Sequence, residues 1–288
     1  MSGFRRILIL LPVLLLLALP SCEWLKRTQV KGAIDEAHQN LEAGDFQKAL
    51  DACQSVYKKY PKDSETLKNY IETIESVKAQ ADKAFDTNNF VQARTLYELL
   101  LKNFPRFSDF VNRLSFKEKF LVGRVKNCRL HQAEKQTQSF LRTRDFQGGI
   151  DLYKSLIQQY PSDKMVRNRY VSLLESIKGQ ADHDFERKDF APAGRAYRIL
   201  LKNYSSLNHL KRFLSYHTGL LETGIQTCRR TLFENGLEQY RSGDLNQAIS
   251  IWKSILTFDP ENQEVKRATD KAIFQIESLK KIKSDDGQ

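Results

Sequence analysis

Glycine and proline are scarce, at 13 and 7 of 288 residues. So few chain breakers disfavour a turn-rich β protein, and long stretches run on Ala, Leu, Lys, Glu, Gln and Arg, which favour helix. Cysteine is scarcer still: Cys22, Cys53, Cys128 and Cys228. Cys22 closes an apolar run, and the other three make an odd set, which argues against a disulfide framework. Each of those three sits in a helix-forming stretch, where a small buried hydrophobe is the expected role, and Cys128 and Cys228 are expected to stay reduced. There is no CxxC, no HExxH and no Cys/His cluster, so neither a metal nor another cofactor is expected. The five histidines (His38, His131, His183, His209, His217) are scattered, with no nucleophile elbow or phosphate loop. The pattern is that of a protein without an active site.

What is present begins with a separate N-terminal object. Arg5 and Arg6 precede Ile7–Leu19, which is apolar throughout and carries Pro12. Thirteen residues are short for a hydrocarbon core about 30 Å thick and fit the apolar core of an export signal. The run ends in "LPSC", residues 19–22, which resembles a bacterial lipobox, with Pro20 in place of the usual small or β-branched residue. The resemblance implies a signal peptide over 1–21, a lipid on Cys22 and a lipidated Cys with a short tether over 22–29. Loss of Arg5 and Arg6 would lower the formal charge of +11 by two. Fully extended, "EWLKRTQ" (residues 23–29) reaches only about 25 Å. Trp24, Lys26 and Arg27 suit a headgroup interface. Glu23 after the lipid Cys implies the outer membrane if the cell has one. An ordinary cleaved signal or an uncleaved anchor is the alternative.

The rest of the chain repeats itself. Phe46, Phe90, Phe146, Phe190 and Leu245 are each preceded by Asp or Asn (Asp45, Asn89, Asp145, Asp189, Asp244), residue types that cap helix starts. Three residues after each mark stands a small residue: Ala49, Ala93, Gly149, Ala193, Ala248. Seven after it stands a bulky one: Cys53, Tyr97, Tyr153, Tyr197, Trp252. Such spacings share one helix face, a notch followed by a knob. Pro61, Pro105, Pro161 and Pro260 end the units, with Ser205 at the fourth, and Pro192 falls where a first helical turn tolerates it. One such helix pair cannot bury its apolar face alone, and stacked pairs can.

These units resemble tetratricopeptide repeats, whose 34-residue helix–turn–helix is recognised by such small and large positions. The last unit, "FENGLEQYRSGDLNQAISIWKSILTFDPEN", resembles them nearly throughout, with Gly236 and Ala248 at the close-contact positions. Ala37, Ala81, Thr137 and Ala181 stand where Gly236 does. The marks advance by 44, 56, 44 and 55 residues, so the true period is near 100. "ESVKAQADKAF" from Glu75 returns as "ESIKGQADHDF" from Glu175, and "LLKN" recurs at Leu100 and Leu200. A two-repeat block has been duplicated. The extra residues before the second and fourth units should lengthen their first helices. The larger inserts before the third and fifth leave room for one more helix or a much extended one. The expectation is an all-α, TPR-like solenoid of about five helix–turn–helix units in a double repeat, over 30–283, with a C-terminal tail at 284–288.

Repeat solenoids recognise partners on the face of their first helices. The resemblance places His38, Lys78, Asp82, Gln138, Arg142, Lys178, Asp182, Tyr240 and Arg241 there. Simple i,i+4 surface pairs are the alternative reading of Lys78/Asp82 and Lys178/Asp182. A second candidate is a basic patch of Arg113, Lys117, Lys119, Arg124, Lys126, Lys211 and Arg212, interleaved with phenylalanines. The expected function is a scaffold lipoprotein of the bacterial envelope, anchored by lipid on the periplasmic side of the outer membrane, binding envelope proteins or peptide segments. The alternative is a basic surface binding a polyanion: peptidoglycan, lipopolysaccharide or anionic lipid. Nucleic acid is disfavoured as a partner because the chain reads as exported.

Overall fold

The computed structural model describes residues 19–285, with side chains from Glu23 to Lys281. The expected signal peptide therefore lies outside the described residues, save the helical backbone from Leu19, and so does the Cys22 side chain. Among the described residues every regular element is helical: α1 (Leu19–Ala43), α2 (Phe46–Lys59), α3 (Ser64–Asp86), α4 (Phe90–Asn103), α5 (Glu118–Thr143), α6 (Phe146–Gln159), α7 (Lys164–Glu186), α8 (Phe190–Tyr204), α9 (Thr218–Arg241), α10 (Leu245–Leu256) and α11 (Gln263–Asp285). Short 3-10 helices follow α4 (Phe104–Arg113) and α8 (Ser205–Phe213). The fold is all-α and TPR-like. The chain divides into two compact units, Met1–Gln132 and Ala133–Gln288.

Each second helix starts on its predicted mark. Asn89, Asp145 and Asp244 accept the backbone N–H of Gln92, Gly148 and Gln247, satisfying amides a helix start leaves free. Asp45 makes no such bond and pairs with Lys48 at 2.7 Å. The turn before each mark needs a left-handed residue, and the five are Gly44, Asn88, Arg144, Lys188 and Gly243, with φ between 60° and 87°. Pro105 follows α4, which ends at Asn103, whereas Ser205 lets α8 run on to Tyr204.

In the first unit α1 packs on α2, α2 on α3 and α3 on α4. The notch positions Ala37, Ala49, Ala81 and Ala93 and the knobs Cys53 and Tyr97 are all buried. In the second unit α6 to α11 pack pairwise in chain order. There the Trp252 ring lies against Gly236, where a Cβ would fall 2.2 Å from its Nε1, so only glycine permits this approach. That Nε1 donates to the Phe233 carbonyl at 3.2 Å. Thr137 is buried at its notch, with its hydroxyl on the Ala133 carbonyl at 2.8 Å.

Both classes of insert take the form their length allows. The shorter ones lengthen α3 and α7 to 23 residues each, capped by Asp63 and Asp163. The longer ones do both things expected as alternatives: they add a 3-10 helix and extend α5 and α9 to 26 and 24 residues. Glu23–Gln29 is helical and part of α1, a rise of only about 10 Å for seven residues. Lys26 pairs with Asp63 at 2.6 Å, and Gln29 accepts from Tyr60 Oη at 2.8 Å. The hydrogen bond from Lys26, aided by the Thr66 amide, holds the Asp63 carboxyl at about 2. Cys53, Cys128 and Cys228 are buried free thiols. Burial pushes Cys128 up to about 11 and Cys228 to about 12.

Candidate docking surface

The hundred-residue duplication preserves side-chain geometry as well as sequence. Lys78 reaches Asp82 at 2.6 Å one turn along α3, and Lys178 reaches Asp182 at 2.6 Å along α7. The pairing read from the sequence is therefore present, but each carboxylate holds a third member. Tyr97 Oη of α4 donates to Asp82, and Tyr197 Oη of α8 donates to Asp182 at 2.8 Å. Burial works to raise the Asp82 carboxyl, and the bonds from Lys78 and Tyr97 outweigh it, so it titrates below its ordinary value. Burial and the carboxylate together push both tyrosine hydroxyls up. These clusters bind the first helix of a pair to the second, and they keep one edge in solvent.

Three further hydrogen bonds recur in the duplicate. Glu75 accepts the backbone N–H and the hydroxyl of Ser115, both at 2.6 Å, and Glu175 accepts those of Ser215 at 2.7 and 2.6 Å. They fix the chain between each 3-10 helix and the α-helix after it. Asn103 and Asn203, both buried, donate to Gln47 and Gln147. Sequence reading passed over these residues, although Glu75/Glu175 and the Asn of "LLKN" lie inside the repeated strings. The signal was the recurrence itself.

The other predicted groove residues lie on three different helices. His38 on α1, Gln138 and Arg142 on α5 and Arg241 at the end of α9 are exposed. Tyr240 is half-buried against the Trp252 ring, with centroids 5.9 Å apart, so packing accounts for it. A cleft of about 620 Å³ lies between α9 and α11, lined by Thr227, Arg230, Phe233, Asn262 and Glu264 among others.

The basic patch separates into engaged and unengaged cations. The Arg124 guanidinium lies 4.6 Å from the Phe85 ring centre and 5.2 Å from that of Phe120. Lys126 also has interaction partners. Lys211 lies over Tyr204 at 5.2 Å and Arg212 over the half-exposed Phe213 at 4.7 Å. Arg113, Lys117 and Lys119 are exposed.

A family model described as a tetratricopeptide repeat matches residues 37–63, the end of α1 through α2 to the cap of α3. No curated protein matches the sequence. A TPR repeat within helix pairs of this kind defines a class suited to protein–protein interaction. Among the described residues no helix is long and apolar enough to cross a membrane.

Proposed function

We propose that this protein is a membrane-anchored TPR lipoprotein acting as a protein–protein interaction scaffold in a bacterial envelope assembly. The observation that carries the binding role is the TPR repeat at 37–63 within packed helix pairs. The anchoring half rests on the sequence, where an arginine-led apolar run ends at Cys22. Trp24 and Leu25, 68% and 51% exposed, lie within the first turn after that cysteine. A helix that starts beside a lipidated Cys22 would bring both side chains to the headgroup level, where Trp is favoured. Partner segments would dock on the first helices of each unit, which offer His38 and the Lys78–Asp82–Tyr97 cluster in the first and Gln138, Arg142, Arg241 and the Lys178–Asp182–Tyr197 cluster in the second.

A second reading has its own observation. The exposed Arg113, Lys117 and Lys119, and the Arg212–Phe213 stack, form cationic surface that fits an envelope polyanion.

Crosslinking in intact cells, with purification and mass spectrometry of the wild type and of Cys22→Ala, tests the proposal. The wild type is expected in membranes after a high-salt wash, linked to a small reproducible set of envelope proteins. The Cys22→Ala variant is expected to be soluble and folded. Should purified Cys22→Ala still bind washed membranes, the lipid anchor is wrong; should the wild type link only to abundant neighbours, the scaffold role is wrong.

A further inference from the structure

The duplication provides an internal comparison at the Lys–Asp–Tyr clusters. In the first unit the cluster has a fourth member: Arg124 Nη2 lies 3.9 Å from Asp82 Oδ1. The guanidinium is held between the rings of Phe85 and Phe120, an arrangement that favours a cation through the ring quadrupoles. The register of α5 and α9 is fixed by three buried pairs at the same spacing, Leu121/Leu221, Val125/Ile225 and Cys128/Cys228. In that register Gly224 stands for Arg124 and Leu220 for Phe120.

The cluster itself is retained in the second unit, although His131, which stacks on Phe90 at 4.5 Å in the first, is replaced by Thr231. Lys178, Asp182 and Tyr197 keep their bonds, and Phe185 still meets Phe190 edge-on at 5.5 Å, as Phe85 meets Phe90 at 5.4 Å. The Arg124 and Phe120 cover is gone. The Asp182 side chain is 43% exposed against 26% for Asp82, and Leu220 is 43% exposed. Nor can position 224 supply a replacement. The α9 backbone lies so close to Tyr197 that a Cβ on Gly224 would fall 2.9 Å from the ring.

We propose that this uncovered place on the second unit, bounded by Asp182, Phe185 and Leu220, receives an arginine side chain from a partner polypeptide, in the way the first unit receives its own Arg124. The occupant's chemistry is set by complementarity. A carboxylate that holds two cations in one copy holds one in the other, beside an aromatic face and an exposed aliphatic one. A planar guanidinium satisfies all three, stacking on Phe185 while donating to Asp182. The inference rests on the protein-binding reading above and names one recognition element within it.

The test uses methyl-labelled full-length protein in neutral detergent, with N-acetyl-arginine-N-methylamide as the probe and its neutral citrulline analogue as the control. The arginine probe is expected to shift the Leu220 methyl signals saturably, and the citrulline analogue is not. Asp182→Asn, which preserves shape, should weaken the probe at least about tenfold, the loss of a charge-assisted hydrogen bond. Leu220→Arg, a change at an exposed position that removes the reporting methyls, should supply a guanidinium from within and weaken the probe at least about tenfold when binding is read by equilibrium dialysis. No Leu220 shift with the arginine probe, or equal shifts with both probes, overturns the proposal. Self-association of the wild type that Asp182→Asn removes would assign the arginine to a second copy and overturn the separate partner. Capture of the same crosslinked partners by wild type and Asp182→Asn would sink this slot and leave the scaffold reading intact.

Discussion

Tyr70 and Tyr170 stand a hundred residues apart on α3 and α7, and both bury a hydroxyl that has no hydrogen-bond partner among the described residues. The Tyr70 ring belongs to an aromatic group, 5.9 Å from Phe107 and 5.3 Å from Phe110. Burial pushes both hydroxyls up. An unsatisfied buried hydroxyl costs roughly 1–3 kcal/mol, whereas the ring's burial is retained by phenylalanine. Tyr70→Phe and Tyr170→Phe are therefore expected to stabilise by about 1 kcal/mol each, raising the urea midpoint with the m-value unchanged. Tyr197→Phe should do the reverse, because its hydroxyl serves Asp182. A lower midpoint for Tyr70→Phe would mean that the Tyr70 hydroxyl is satisfied after all. Only the pairing of α7 with α8 distinguishes Tyr197 from Tyr170. Their own residue types do not, so the sequence alone could not separate them.

At the scale of elements, the five left-handed turns show how one requirement is met in different ways. A left-handed conformation costs an ordinary residue about 1–2 kcal/mol relative to glycine. Gly44 and Gly243 avoid that cost. Arg144 does not, and its side chain reaches Asp184 on α7 with both guanidinium nitrogens. Asp184 is only 3% exposed. In the first unit the corresponding residues are Gly44 and Ala84, so turn and helix have changed together. Arg144→Gly alone leaves a buried carboxylate without its cation and should destabilise by about 1–3 kcal/mol, less than a fully buried pair because Arg144 is 46% exposed. Adding Asp184→Ala should recover most of that loss, a coupling that a double-mutant cycle in urea measures directly. An additive result would show that the two residues act separately. The helix starts were legible because Asp or Asn, then an aromatic, then a small residue recur at fixed spacing. The 3-10 helices were not. Phe104, Phe107 and Phe110 carry a period of three, but over ten residues that is hard to tell from the α-helical 3.6.

At the scale of the whole molecule, the hundred-residue period was readable because duplication kept buried pairs and hydrogen-bond partners in register, Glu75 and Ser115 with Glu175 and Ser215 among them. The site was readable only in part. Lys78/Asp82 and Lys178/Asp182 lie one turn apart on single helices, which spacing reveals, whereas Arg124 reaches Asp82 from another helix. The same crossing removes Arg124 from the basic patch, since a guanidinium held between two rings is not free for a polyanion. Of the patch residues, Arg113, Lys117, Lys119 and Arg212 are the exposed ones. This sets the salt response. Attraction between exposed charges and a glycan polyanion is screened as the Debye length falls from about 10 Å at 0.1 M salt to about 3 Å at 1 M. A guanidinium seated against Phe185 and Leu220 at Asp182, which is part-exposed, is screened less than a contact between fully exposed charges. Co-sedimentation with purified peptidoglycan should therefore fade between low and moderate salt and be weakened further by Lys117→Ala with Lys119→Ala. Crosslinking carried out across the same salt series should still capture the envelope proteins. Capture lost in step with peptidoglycan, and restored to neither by removing salt from the Lys117→Ala, Lys119→Ala protein, would make the basic surface the principal binding site and the helix pairs its frame.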